Sequence, residues 1–99
     1  MLNRFVRMTF QPEKVEEFLN EIFIPSKEKI RHFSGCHHLE LMRDLNEPNI
    51  FMTFSKWESP EALETYRHSE LFKSTWAKTK VLFADKPKAW SVETVISVD

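Results

Sequence analysis

The sequence predicts one α+β domain in which the elements run β-α-β-β-α-β and four strands form an antiparallel sheet with the helices on one face. Three observations carry this. Segments that alternate apolar and polar residues are interleaved, in that order, with segments at helical spacing. A chain of 99 residues has room for one core, so residues 1–99 form a single domain. Apolar side chains occupy both sides of the strands, whereas two helices can cover only one side.

Residues 2–10 form the first strand. Leu2, Val6, Met8 and Phe10 point one way, and Asn3, Phe5, Arg7 and Thr9 the other. Pro12 sits where a first helical turn tolerates proline. Val15, Phe18, Leu19 and Ile22 then recur at helical spacing, and the stripe continues through Ser26, Ile30 and Phe33. Pro25 disfavours helical angles at Ile24, so this helix is expected to kink or break there. Gly35 ends it. Strands follow at 36–43 and 49–57, and the turn formers from Asp44 to Asn49 join them as a hairpin. Ser59-Pro60-Glu61 offers a capping hydroxyl, a proline and a first-turn carboxylate, the marks of a helix start. Ser69 caps a further segment with Phe72, Trp76, Thr79 and Phe83 on one face. Pro87 precedes a last strand expected to carry Trp90, Val92, Thr94, Ile96 and Val98 on one side.

This is the split βαβ, ferredoxin-like order. Its bare sheet face must be hidden from water, and the simplest cover is a second copy related by a twofold axis, sheet against sheet. With 13% of residues aromatic, including nine Phe and three Trp, rings either meet that second subunit or line a pocket.

The remaining composition excludes several functions. A formal net charge of −1 lacks the basic excess of a nucleic-acid or anionic-membrane surface. Gly35 is the single glycine, so phosphate-cradling loops are absent. Cys36 is the single cysteine, which excludes an intrachain disulfide and fits a reducing compartment. The first residues lack the pattern of a signal peptide, and no apolar run approaches the roughly 20 residues of a membrane span. A cytoplasmic protein is expected. Cysteine pairs for zinc, metalloprotease spacing and a serine elbow are also absent, so no metal site is expected.

Several segments together resemble one family. Phe10-Gln11-Pro12-Glu13-Lys14-Val15-Glu16 is similar to its aliphatic–Pro–Gly–Lys–Glu pattern, with Glu13 for glycine. Gly35-Cys36 is similar to its Pro-Gly-Cys turn, and Leu39-Glu40-Leu41-Met42-Arg43-Asp44 to the acidic–arginine end of its second strand. Trp57-Glu58-Ser59-Pro60-Glu61-Ala62-Leu63, followed by Ser69 and Phe72, resembles the W-E-S-x-E-A-L…S…F signature of the antibiotic biosynthesis monooxygenases. The resemblance covers nearly the whole chain. It implies a dimeric α+β barrel with a cavity between sheet and helices in each subunit. It leaves the reaction open: some members oxidise phenols, anthrones or quinols with O2 and no cofactor, some cleave haem, and others isomerise or bind small metabolites.

The resemblance also suggests site residues. Trp57 stands where haem-degrading members have a cavity tryptophan; it equally suits a core residue closing the sheet. Asn3 matches an asparagine near the start of the first strand. Trp76 falls where those members place the histidine that holds iron. An indole cannot ligate iron, so haem cleavage by that route is not expected, and Trp76 fills either pocket or core. Tyr66 falls where quinol-type members have a histidine. Its phenol can donate to a substrate oxygen or relay a proton, although its ordinary pKa is near 10.

Other candidates come from residue chemistry. His37 and His38 are adjacent on a strand and face opposite sides; the pocket-facing one is a candidate base, the sequence leaves open which of the two it is, and His38 is taken as a substrate contact. His68 lies near Tyr66 but well round the helix, and is a substrate contact or a solvated residue. Arg43 either holds an anionic substrate or joins Asp44 in a rim ion pair. His32 is a surface residue and Cys36 a structural one.

The expectation is therefore a cofactor-independent oxygenase or quinol-type oxidoreductase. It takes a small aromatic substrate, with O2 as co-substrate, and uses Asn3, Trp57 and Tyr66 as catalytic residues. His38, Arg43, His68 and Trp76 are its expected substrate contacts. The alternative is a non-catalytic barrel that binds a small metabolite.

Overall fold

The computed structural model describes residues 1–99. Strand β1 (Leu2–Thr9) is followed by a helical run of a 3-10 turn (Pro12–Lys14), a short α1 (Val15–Glu17), a π turn (Phe18–Phe23) and α2 (Ile24–Arg31). Strands β2 (Cys36–Arg43) and β3 (Ile50–Trp57), helices α3 (Pro60–Arg67) and α4 (Glu70–Lys80), and strand β4 (Lys88–Val92) complete the chain. The four strands form one sheet in the order β2-β3-β1-β4, with every neighbouring pair antiparallel. This is the expected α+β, ferredoxin-like arrangement.

The first helix does not break at Pro25. Ile24 keeps helical angles and donates its backbone N–H to the Leu19 carbonyl, five residues back. Proline lacks an N–H and its ring crowds the carbonyl four residues before it. The wide π turn places that misfit inside a continuous helix. Later signals hold as read. Ser59 Oγ accepts from the Ala62 N–H at 3.1 Å and Ser69 Oγ from the Phe72 N–H at 3.1 Å. Between β2 and β3, Asp44 Oδ2 accepts from the Asn46 and Glu47 amides at 2.9 and 2.8 Å, which fixes the turn and lowers its carboxyl pKa. Gly35 has φ +87°, and a Cβ there would stand 2.6 Å from Ala62 Cβ, so both conformation and the approach of α3 require glycine.

The last strand is shorter than expected. Val92 pairs with Asn3, so β4 runs out of partner as β1 reaches its first residues. Thr94, Ile96 and Val98 therefore lie outside the sheet, in an exposed segment.

On the helix-facing side, the inward positions of β1 and β3 pair as Leu2–Trp57, Arg4–Ser55, Val6–Thr53 and Met8–Phe51. Met8, Phe10, Val15, Phe18, Ile22, Phe51 and Leu82 form the larger core; Cys36, Trp57 and Leu63 form a second. The opposite face carries Phe5 stacked on Phe54 at 4.7 Å, and Trp90, paired with Phe5, stays exposed.

Candidate functional site

Between the two cores, sheet and helices enclose a cavity of about 290 Å³, at the small end of the range for small-molecule sites. Its floor is the middle of β1 and β3, where Arg4, Val6, Thr53 and Ser55 stand. Ser26 and Ile30 border it from α2. Leu63 and Tyr66, three residues apart on α3, share one helix face and reach it together. Phe72, Trp76 and Thr79 enter from α4.

The rings make a continuous wall. Trp57 stacks on Tyr66 at 4.8 Å, Tyr66 meets the edge of Phe72 at 5.3 Å, and Phe72 stacks on Trp76 at 5.8 Å. Phe33 braces Trp57 and Tyr66 from behind. Trp57 is 1% exposed, and its indole N–H donates to Ser55 Oγ at 2.9 Å, so this ring is held at both ends.

Burial pushes the Tyr66 phenol far above its ordinary pKa, with Cys36 as a further acid of like charge. Its hydroxyl finds no protein hydrogen-bond partner and borders the cavity. Tyr66 is therefore a protonated donor across the neutral range, not a base. Thr75 and Thr79 donate to carbonyls of their own helix, Leu71 and Thr75 respectively, and offer no free proton to the cavity.

The family model for antibiotic biosynthesis monooxygenase covers residues 1–78. The chain belongs to the antibiotic biosynthesis monooxygenase family. Solved structures agree on the fold. One antibiotic biosynthesis monooxygenase superposes with a TM-score of 0.89 at 19% identity, covering 97% of this chain and 100% of its own. A conserved protein of Methanosarcina mazei Go1 gives 0.86 at 22% identity over 93% and 91% of the two chains. Rv0793 of Mycobacterium tuberculosis gives 0.87 at 15% identity over 99% and 98%. No curated protein matches the chain.

Of the residues singled out in the sequence, Trp57, Tyr66 and Trp76 come together at the cavity. Asn3 faces away, on the outer side of the sheet, with its amide 3.3 Å from Thr94 Oγ1. His38 also lies on the outer side: it stacks obliquely on Phe54 at 5.2 Å and meets Glu40 at 2.9 Å. A bulge at His37 is the cause. Cys36 pairs with Trp57 and His38 with Lys56, so the two sit on opposite faces despite being two residues apart. His37 reaches Glu58 at the exposed strand end. Arg43 lies over the Phe51 ring at 4.6 Å, away from the cavity and without an ion pair to Asp44. His68 closes α3 with Nδ1 2.8 Å from the Glu64 carbonyl and is exposed. Burial raises the pKa of the Cys36 thiol, which donates to the His38 carbonyl, as suits an unreactive cysteine.

Arg4, Thr53 and Ser55 were missed. The signal was present: all three are polar residues on the inward stripes of central strands, where apolar residues are the rule.

Proposed function

We propose that this family member is a cofactor-independent monooxygenase or quinol-type oxidoreductase acting on a small aromatic phenol or quinol. The observation that carries the reading is the ring-walled cavity with the Tyr66 phenol inside it, unpartnered and kept protonated by burial. The substrate lies against Tyr66, Phe72 and Trp76. Its acidic proton passes to solvent, and Tyr66 donates a hydrogen bond to the resulting oxyanion. The electron-rich anion gives an electron to O2. Recombination with superoxide forms a carbon–oxygen bond and a peroxide anion, which takes a proton from water. The hydrogen on that carbon then leaves as a proton and the O–O bond breaks with loss of hydroxide, which leaves a carbonyl. One oxygen atom ends in product and the other in hydroxide. A quinol instead yields quinone and hydroperoxide. Chain residues supply orientation, an aromatic wall and the Tyr66 donor.

Oxygen uptake with anthrones, naphthoquinols and catechols tests this, with heat-denatured protein as the control. Uptake that exceeds the control and withstands chelators is expected. None across the panel overturns the reading.

A second reading, a non-catalytic metabolite binder, is favoured by one feature: neither histidine nor carboxylate lines the cavity to act as a base. Ligand-induced thermal stabilisation without oxygen uptake would select it. Histidine-ligated haem does not fit this lining, since Trp76 stands at the position the resemblance gives to the ligand and no histidine replaces it.

The working unit in this proposal is a homodimer joined through the outer sheet face. Phe5, Phe54 and the exposed Trp90 form an apolar patch on that face, and Val95, Ile96 and Val98 are exposed beyond the end of β4. Light scattering coupled to size exclusion is expected to give twice the chain mass of 11.9 kDa; a monomer removes the dimer.

A further inference from the structure

Arg4 is a charged side chain on the helix-facing stripe of β1, between Leu2 and Val6. Its guanidinium donates one hydrogen bond, from Nη1 to Ser91 Oγ at 2.9 Å, and takes part in none of the ion pairs of the molecule. A guanidinium carries five N–H donors and no acceptor, so most of its capacity is unspent. Partial burial, reinforced by the nearby Arg67, lowers the Arg4 pKa; Glu64 opposes the shift.

Arg67 also lines the cavity, and no Asp or Glu does. Glu64, the carboxylate nearest the pair, is engaged by Arg67 at 2.8 Å and His68 at 3.8 Å. Lys88 touches the rim but pairs with Arg7, whose register faces outward. The cavity thus combines an apolar, ring-walled body with two guanidiniums, of which Arg67 is paired with Glu64 and Arg4 has no carboxylate partner. Partial burial and the nearby Arg67 work against the Arg4 charge, and an anion accepting from its free N–H groups offsets both.

We propose that the cavity selects an amphipathic anion, with an aromatic or aliphatic body against Tyr66, Phe72 and Trp76 and an anionic oxygen group on Arg4, Arg67 standing beside it. The oxygen group is a carboxylate or an ionised phenol or enol. A planar guanidinium donates to such oxygens in parallel pairs. This rests on the reading of the cavity as the substrate site, and narrows its substrate to acids.

The test is calorimetric titration with three naphthalene probes: 1-naphthoate and neutral 1-naphthamide, which match in size, and the larger 2,4-dinitro-1-naphtholate. At least one anion is expected to bind roughly tenfold tighter than the amide, the scale of one charge-assisted hydrogen bond. Which anion leads identifies the oxygen group. Arg4→Gln is expected to erase the preference, Arg4→Lys to keep part of it, and Lys78→Gln, on the exposed side of α4, to leave it whole. Equal binding of all three, binding of none, or a preference that survives Arg4→Gln overturns the inference. Oxygen uptake from quinols alongside equal probe binding removes the anion site alone. Naphthoate preference in a protein inert to O2 removes the oxygenase reading alone.

Discussion

At one end of the helix-facing side, Phe10, Phe18 and Phe51 interlock, with Phe10 on Phe18 at 4.3 Å and Phe10 wholly buried. At the other, Trp57, Tyr66, Phe72 and Trp76 surround open space. Both ends are rich in rings, so aromatic content does not separate them. The strand pairs between them do. Met8 faces Phe51 and fills the closed end, whereas Arg4 faces Ser55 and Val6 faces Thr53. Small and polar side chains in the middle of the sheet leave volume that the rings above do not collapse into. Trp57 is tied to Ser55, and Tyr66 is clamped between Trp57, Phe33 and Phe72. A cavity here is the product of residues that are too small below and rings that are too firmly held above.

The contrast can be broken most sharply at the closed end. Phe10→Ala empties a dense cluster with no room to relax, and is expected to cost about 3–5 kcal/mol, read as a fall in the urea midpoint. A cost below about 1 kcal/mol would show that this end is as loose as the other. Thr53→Leu acts in the opposite sense. Its side chain enters existing space, so stability should hold or rise by about 0.5–2 kcal/mol while probe binding is lost. Destabilisation together with intact binding would mean that Thr53 does not form the floor.

The smallest expected change in stability belongs to Tyr66→Phe. Near neutral pH it should be within about 0.5 kcal/mol, since the hydroxyl has no protein partner to lose, while turnover drops. Its pH dependence is larger. The folded phenol keeps its proton past the point, about pH 10, at which the unfolded one loses it. The stability it contributes is complete below that pH and declines above it, because the unfolded phenol ionises while the folded one must hold its proton, until the folded phenol ionises too. The native protein should therefore weaken in urea above about pH 10 more steeply than Tyr66→Phe. Tyr66 is the single tyrosine, so a phenolate absorbance titration follows it directly. An ordinary titration midpoint would contradict the buried environment.

Much of the fold was legible because it depends on local chemistry. Ser59 and Ser69 cap helices, Asp44 turns the hairpin and Gly35 supplies the left-handed backbone. Each such signal spans a few residues. Pro25 misled because local rules give its preference for non-helical neighbours but not the π turn that accommodates it within one helix. Trp57, Tyr66 and Trp76 were legible through a motif and a helical period. His38 was not: the bulge at His37 decides its face, and a bulge is a property of two paired strands. Asn3 lies on the outward stripe of β1 and His68 at the exposed end of α3, so neither stands in the cavity lining.

By itself, then, the sequence determined the element order, the caps and turns, and the family resemblance carried by Trp57 through Leu63. Tertiary structure decided which face each strand residue serves, where β4 runs out of partner, and that Arg4 and Tyr66 share one cavity. The division has a physical cause. Period, capping and turn formation arise within a single segment, whereas register, enclosure and the loss of water around a charged or phenolic group arise only when distant segments meet.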